Sequence, residues 1–305
     1  MNKPQKIDLD QVKDREQWLS WRRTHLTATD TSKIMGLSHW GTPLDVYNDK
    51  MGLSPEKPMN AAMKAGVENE PIARKLMSKE YGFEFEAGCF ESGDLAYSGA
   101  SLDAITKDGK KGGEIKCVGA KTFGNALIGE IDESYRVQCQ KQMYIADLQE
   151  WILYFMLVDP NAQPEEQNTI GILIERDDKF IKKMLTAEKN FWFNHILPKI
   201  PPPLTNKDFI QNDNTFENQL ALKWSKMKAE CDSMEKACKE LERQLKELAE
   251  GFSVYYPTAK VRLAQISRRG TVDWVSVCKE WKINEKELEK FRKESSQYVK
   301  ITSEV

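Results

Sequence analysis

The chain has 305 residues and a mass of 35.1 kDa, a length for which about two domains are expected. Hydrophobic residues make up 40% and charged residues 30%, which excludes collagen-like and largely disordered classes. The 45 Lys+Arg and 47 Asp+Glu give a net charge of −2, so any basic surface for nucleic acid must be local.

Features that the sequence lacks indicate the cellular compartment of the protein. No apolar run reaches the roughly 18 residues of a membrane span, and the polar start of the chain has no signal-peptide core. The six cysteines lie far apart without a CxxC motif, which predicts reduced thiols rather than disulfides or a zinc ribbon. Cys231 and Cys238 fit apolar positions of a predicted C-terminal helix, so we expect no iron–sulfur cluster either. We therefore expect a cytoplasmic protein without membrane association.

The first part of the chain is predicted to be helical. A capping residue, Thr27 or Thr29, precedes the second helix, and Pro43 suits the first turn of the third. Four helices are predicted: one over residues 10–21, a second that opens within 26–30, a third that starts at Thr42-Pro43, and a fourth over 59–81.

A strand-rich block follows. The segment Lys107–Lys110 predicts a hairpin turn between two strands, and the apolar run Trp151–Val158 predicts a strand covered on both faces. The predicted strands are 83–91, 95–106, 112–118, 151–158 and 169–175, with helices at 133–147 and 177–197. This order predicts an α/β fold with a mixed central sheet flanked by helices, in a first domain of residues 1–200.

The C-terminal third has a different pattern. A proline-rich linker, 201–215, leads to a coiled-coil-like helix, 216–252, whose apolar residues alternate three and four apart. This seam either packs within the chain or pairs two copies. Its members are Leu220, Trp224, Met227, Cys231, Met234, Cys238, Leu241, Leu245, Leu248 and Phe252. Residues 253–305 form a small basic module in which Arg268 and Arg269 are candidates for DNA phosphate contacts.

The chemically informative pattern is Asp103 followed by Glu114-Ile-Lys116 across the predicted hairpin. Side chains alternate along a strand, so Glu114 and Lys116 share one face and the hairpin brings Asp103 beside them. Two close carboxylates repel unless a cation neutralises them, and hard oxygen ligands favour Mg²⁺, or Mn²⁺ in its place. Such a site suits phosphodiester hydrolysis, although the same spacing also occurs in solvated hairpins.

Other residues can complete this site. Glu70 on the helix before the strands can supply a third carboxylate, with Glu68 as the second choice, or it can simply pair with Arg74. Gln140 and Tyr144 share a helix face and can contact metal-bound water or DNA; alternatively, they belong to an ordinary helix with Tyr144 in the core.

An arginine stands near a threonine-rich helix start. Arg22 and Thr29, with backbone N–H groups at the helix N-terminus, can together hold a phosphate. A plain helix cap, which needs only one threonine and no arginine, is the alternative.

These stretches, taken in order, resemble the YqaJ viral recombinase family of phage lambda exonuclease-like enzymes, within the PD-(D/E)xK nuclease superfamily. The resemblance covers about residues 15–200. The matching stretches are Arg22 with Leu26–Gly36, Gly66–Arg74, Ser101–Asp103, Glu114–Cys117, and Gln140 with Tyr144.

The resemblance implies a role for each matched position. Asp103, Glu114, the Ile115 backbone carbonyl and Glu70 would hold Mg²⁺, Lys116 would activate water and Gln140 would support the site. Arg22, favoured over Arg23 by its spacing to Thr29, would bind the 5′-phosphate with Thr29.

The implied activity is 5′→3′ digestion of one strand of linear double-stranded DNA, leaving 3′ single-stranded tails for recombination. The implied partners are a single-strand annealing protein and further copies of the chain, in a trimer by resemblance. The C-terminal extension is a departure from the lambda-type enzyme. It weakens the inference from that enzyme that this chain forms a trimer. An endonuclease of the same superfamily and a non-catalytic DNA-binding scaffold are the alternatives.

Overall fold

The computed structural model describes residues 4–8, 14–54, 59–158, 163, 167–209 and 212–264. The chain divides into two compact units, with the described residues up to Asp208 in the first and those from Phe209 in the second. The candidate DNA contacts Arg268 and Arg269 lie outside the described residues.

The first unit alternates helices and strands much as the sequence predicts. Its helices are α1 (Arg15–Thr24), α2 (Ala28–Ile34), α3 (Pro43–Lys50), α4 (Ala61–Tyr81), α5 (Ala120–Leu127), α6 (Glu133–Ala146) and α7 (Asp178–Phe191), the last continued by a π-helical turn, Trp192–Ile196. Its strands are β1 (Gln5–Ile7), β2 (Phe85–Glu91), β3 (Gly99–Thr106), β4 (Gly112–Val118), β5 (Glu150–Leu157) and β6 (Thr169–Glu175).

The six strands form one mixed sheet in the order β1-β2-β3-β4-β5-β6. Neighbouring strands are antiparallel except β4 and β5, which are parallel and are joined by the crossover that contains α5 and α6. Helices cover the sheet, so the predicted fold class, a mixed central sheet flanked by helices, is confirmed.

Strand β5 lies at the centre of the core and is covered on both faces, as its apolar run predicts. Trp151 and Leu153 pack in the cluster that includes α6 and α7, whereas Ile152 and Tyr154 pack against α4. All four side chains are buried, which anchors the neighbouring strand β4 between two layers of helices.

Strand β4 approaches its neighbours closely because it begins with two glycines. A Cβ at Gly113 would come within 2.6 Å of the Ile152 carbonyl oxygen, and one at Gly112 within 2.3 Å of the Trp151 ring. The ladder between β3 and β4 pairs Ala104 with Gly113 and Ile105 with Gly112. Asp103 and Glu114 are the next residues beyond this last pair, so the two strands separate where the predicted site lies.

The second unit contains the long helix α8 (Thr215–Leu248), followed by a hairpin of β7 (Val254–Tyr256) and β8 (Val261–Leu263). Asn214 caps α8 by accepting hydrogen bonds from the N–H groups of Phe216 and Glu217. The helix ends four residues before Phe252, and Gly251, with φ of +82°, lies in the turn that follows. No described helix is both long and apolar enough to cross a bilayer.

Candidate active site

Asp103 lies where β3 and β4 separate, and its carboxylate reaches across to β4. Its Oδ2 accepts a hydrogen bond of 3.0 Å from the backbone N–H of Ile115. N–H and C=O of one strand residue point to the same side, so the Ile115 carbonyl also faces the gap towards β3. Among the described residues, Oδ1 of Asp103 accepts no hydrogen bond.

Glu114 and Lys116 project from β4 towards α6. Lys116 Nζ lies 2.5 Å from Glu114 Oε1 and donates to Gln138 Oε1 at 2.8 Å, above the ring of Tyr135 at 4.8 Å. Gln142 Nε2 donates to Glu114 Oε2. Two glutamines of α6, one turn apart, therefore fix the carboxylate and the ammonium, and Glu114 is only 5% exposed.

Glu70 approaches Asp103 from α4. Its carboxylate pairs with Arg74 one turn later, and Arg74 Nε donates to the backbone carbonyl of Asp103. The ion pair that the sequence left as an alternative is thus present, and it is tied to the strand that carries Asp103. Glu68, the second choice for the third acid, is exposed on α4.

The charged groups of this cluster shift one another's pKa values. Burial and the nearby Glu114 and Glu70 carboxylates raise the pKa of Asp103 well above its usual value, against the lowering effect of Lys116. Burial would lower the pKa of Lys116, but the attraction of Glu114 and Asp103 outweighs it and raises that pKa, so Lys116 is an ammonium. No three His, Cys, Asp or Glu side chains of the described residues form a ready cage for one ion.

Gln140 and Tyr144 are not brought to this cluster. Gln140 Nε2 donates to the Glu175 carbonyl at 2.7 Å, and its Oε1 accepts from the Asp177 N–H at 2.8 Å, so this side chain joins α6 to the end of β6. Tyr144 is buried in the core, where its hydroxyl contacts Ser92 at 3.2 Å. The polar pattern of α6 indicated the correct helix but the wrong face of that helix.

Arg22 and Thr29 do meet. Arg22 Nη2 donates to Thr29 Oγ1 at 2.8 Å, and its guanidinium lies 4.7 Å from the centre of the Trp18 ring. Trp18 Nε1 donates to Ser101 Oγ at 3.4 Å, two residues before Asp103 on β3 and so about 7 Å along the strand. Arg22 and Thr29 are therefore linked through Trp18 to the strand that carries Asp103.

The start of α2 is capped by the chain itself. Asp30 accepts hydrogen bonds from the N–H and hydroxyl of Thr27, and its Oδ2 lies 2.7 Å from Lys50 Nζ in a buried pair. Burial would raise the pKa of Asp30, but the attraction of Lys50 and Arg22 holds it well below its usual range. Thr27 is therefore the cap, and Thr29 is left for Arg22 and any phosphate beside it.

Gln138 and Gln142 were not predicted to be site residues. They have the same four-residue spacing as Gln140 and Tyr144, and Gln138, Gln140 and Gln142 alternate along one helix. The sequence signal that could have found them is Glu114-x-Lys116 on the preceding strand. Two buried charged side chains on one strand face need two polar partners, one turn apart, on the helix that packs against them. Only the packing of α6 shows which pair faces it.

A mixed sheet with this strand order, and with acids and a lysine at the point where β3 and β4 separate, is the arrangement expected of the PD-(D/E)xK nuclease fold. Residues 17–149 match the model of the YqaJ-like viral recombinase domain. The resemblance seen in the sequence motifs is thereby confirmed over these residues.

The chain is also similar to one curated protein and to solved exonuclease structures. It is 27% identical over 199 residues to "Uncharacterized protein YqaJ" of Bacillus subtilis (strain 168), a match covering 62% of this chain and 59% of the relative's length. The alkaline exonuclease LHK-Exo from Laribacter hongkongensis is 25% identical, with a TM-score of 0.49, over 61% of this chain and 94% of that chain. A phage related exonuclease from Haemophilus somnus 129PT is 15% identical, with a TM-score of 0.45, over 57% and 96% of the two chains.

Proposed function

We propose that the protein is a metal-dependent DNA exonuclease that shortens linear double-stranded DNA from its 5′ ends. One observation carries the proposal: in a YqaJ-like domain, the carboxylate of Asp103 lies beside Glu114, Glu70 and the Ile115 carbonyl without a full set of cationic or hydrogen-bonding partners. This arrangement suits a divalent cation acting on a phosphodiester.

The donor set fits Mg²⁺, with Mn²⁺ as a substitute. Mg²⁺ is commonly held by one or two carboxylates, with the remaining positions taken by waters and phosphate oxygens. Asp103, Glu114 and the Ile115 carbonyl would be the metal ligands. Glu70, whose carboxylate pairs with Arg74, would contact the metal through a bound water. The ion would lower the pKa of a water and stabilise the extra charge of the attacked phosphate.

The chain's own residues then have separate tasks. Lys116, held by Glu114 and Gln138, keeps its ammonium aimed into the cluster and orients the attacking water by donating a hydrogen bond. Gln142 holds the Glu114 carboxylate in place. Arg74 fixes β3 through the Asp103 carbonyl and keeps Glu70 within reach of the site.

The contact between Arg22 and Thr29 supports action at 5′ ends. A terminal phosphate has more charge than an internal one, and a guanidinium backed by a hydroxyl can bind its oxygens. The link from Trp18 to Ser101 places this pair close to the strand that carries Asp103. A phosphate held there would position the terminal nucleotide for cleavage.

A comparison of substrates tests the proposal. Purified protein with Mg²⁺ should shorten linear duplex DNA, leave covalently closed circles intact and release product from 5′-labelled ends first. Cleavage of closed circles would favour the endonuclease alternative. Binding of DNA without cleavage at any divalent cation concentration would favour the non-catalytic scaffold.

Replacement of Arg22 by glutamine should remove the preference for phosphorylated ends. Loss of a charge-assisted hydrogen bond costs about 1.5–3 kcal/mol, so the rate on 5′-phosphorylated DNA should fall roughly tenfold to hundredfold. The rate on 5′-hydroxyl DNA should change little. The matched control is Arg23→Gln, because Arg23 is exposed and should leave both rates unchanged. Equal losses on both ends would contradict the assignment.

Replacing Gln142 and replacing Gln140 should have different effects on the cleavage rate of the folded enzyme. Gln142→Leu removes the donor to the buried Glu114 carboxylate, so it should lower the cleavage rate of the folded enzyme about tenfold and also lower the free energy of unfolding. Gln140→Leu leaves two backbone groups near Glu175 unpaired and should lower the free energy of unfolding by about 1–3 kcal/mol, with the rate of the folded enzyme nearly unchanged. The reverse pattern would restore Gln140 to the site.

The remaining assignments extend the proposal. A 3′ tail left by 5′→3′ digestion is the substrate of a single-strand annealing protein, which we propose as the partner. We propose the cytoplasm as the compartment, in keeping with the free thiols of Cys89, Cys117, Cys139, Cys231 and Cys238.

A further inference from the structure

Helix α8 displays an apolar seam along its whole length. Leu220, Met227, Met234, Leu241 and Leu248 are 56–76% exposed, although they occupy one side of the helix at heptad spacing. On the other row of the seam Cys231 and Cys238 are exposed, and Trp224 and Leu245 are partly buried. A continuous apolar stripe on a 34-residue helix is typical of a helix that packs against another helix.

We propose that α8 pairs with α8 of a second copy of this chain in an antiparallel two-helix coiled coil. The proposal does not rest on the nuclease function, because it uses only residues of the second unit. It replaces the trimer implied by family resemblance with a dimer as the assembly formed by this helix. The charges that flank the seam decide the orientation.

A parallel, in-register pair is disfavoured by those charges. In such a pair, the residue just before Trp224 or Cys231 meets the residue five positions later in the sequence of the other helix. Lys223 would then face Lys228 of the second copy, and Glu230 would face Glu235, each contact occurring twice by symmetry. Four like-charge contacts and no opposite-charge contact would flank the seam.

An antiparallel pair centred on the middle of α8 instead brings opposite charges together beside the seam. When Cys231 faces Met234 of the second copy, residues 217–248 overlap fully, and Lys228 of each chain faces Glu235 of the other. The remaining flanking contacts pair a charged residue with a neutral one. A shift by one heptad in one direction would place Lys228 against Lys228 and Glu230 against Glu230, and the opposite shift would place Glu235 against Glu235.

The seam residues also match in size in this register. Each cysteine faces a methionine, since Cys231 meets Met234 and Cys238 meets Met227, and Trp224 meets Leu241. A small side chain thus lies opposite a long, adaptable one in the central layers. The parallel arrangement would instead stack Trp224 on Trp224 and each cysteine on itself, which is a poor fit for a narrow two-helix core.

Charge reversal in the full-length protein tests the pairing and its orientation together. The dimer dissociation constant is measured by sedimentation or light scattering over a concentration series. Lys228→Glu should raise it about tenfold, since two attractions become two repulsions. Glu235→Lys should do the same, and the double variant should return to the wild-type value. In a parallel dimer each single change would instead tighten association.

Lys236→Glu is the matched control, because Lys236 lies on the side of α8 opposite the seam. It changes the net charge as Lys228→Glu does and should leave the dissociation constant unchanged. Lys228 also pairs with Asp232 within the helix, so circular dichroism should show that helicity is preserved in each variant.

Thiol cross-linking gives an independent readout of the register. With Cys278 replaced by serine throughout, mild oxidation should leave the otherwise wild-type chain uncross-linked. Met234→Cys should produce a covalent dimer, and a further Cys231→Ser change should abolish it. A monomer at all concentrations, a trimer, cross-linking through the native Cys231, or tighter dimers on Lys228→Glu would each overturn the proposal.

Discussion

Asp103→Asn should lower the cleavage rate on linear DNA by about a thousandfold or more while the protein folds normally. A bound divalent ion contributes several kcal/mol to transition-state stabilisation, and each 1.36 kcal/mol is a factor of ten in rate. The asparagine oxygen can still accept the Ile115 N–H, so the junction of β3 and β4 should persist. Cleavage is measured on 5′-phosphorylated linear duplex with Mg²⁺ and Mn²⁺.

The same variant should be more stable than the wild type at neutral pH in the presence of a chelator. The pKa of Asp103 is raised in the folded protein, so its ionised form costs free energy on folding. Above the folded pKa the wild type bears this cost in full, and as pH falls towards the unfolded value of about 3.9 the cost disappears. The difference in the free energy of unfolding should therefore vanish in acid.

Glu114→Ala separates this effect from a general loss of structure. It removes a carboxylate that Lys116 and Gln142 both contact, so it should reduce activity and stability together. A loss of stability in Asp103→Asn as large as that in Glu114→Ala would contradict the picture of Asp103 as an uncompensated carboxylate.

Glu188→Leu should reduce the free energy of unfolding by about 3–5 kcal/mol, the cost of leaving a buried charge unpaired. Glu188 and Lys141 are both fully buried, 2.6 Å apart, and Thr31 donates a hydrogen bond to the same carboxylate. This pair joins α7 and α6, with α2 attached through Thr31. Unfolding in guanidinium chloride, followed by far-ultraviolet circular dichroism, gives the free energy.

Two controls make the effect specific. Lys6 and Glu86 form a pair of the same length, 2.6 Å, but with both side chains exposed, so Glu86→Leu should cost less than about 1 kcal/mol. The double variant Lys141→Met/Glu188→Leu should recover most of the lost stability because no charge is left unpaired. A double variant as unstable as Glu188→Leu would show that the loss comes from packing instead.

Interactions within short stretches of chain were predictable from the sequence. The turn at Lys107–Lys110 and the alternation of strand residues predicted that Asp103 would approach Glu114 and Lys116, because a hairpin brings its own strands together. The fold class, the doubly covered strand β5 and the seam of α8 also follow from periodicity. The assignment of Asp103, Glu114 and Lys116 to metal chemistry stays a prediction for the experiments above.

Contacts between distant elements were not predictable in this way. The polar residues of α6 alternate too evenly to show which face meets β4, so Gln138 and Gln142 were missed and Gln140 was chosen. Lys141 and Glu188 are 47 residues apart, and no local pattern marks them as partners. Arg22 was correctly placed beside Thr29, but the role of Lys50 behind that pair was not foreseen.

The sequence by itself therefore determined most of the strands and helices, the hairpin that gathers the acids, and the stripe on α8, because these depend on spacing along a few turns or one reversal of the chain. It did not indicate β1 or α5. Only the tertiary structure decided which face of α6 supports the acids, that Glu70 is drawn to Arg74, and which buried charges compensate one another. Those outcomes depend on how whole helices rotate as they pack on the sheet, and that rotation is set by core residues far away in the chain.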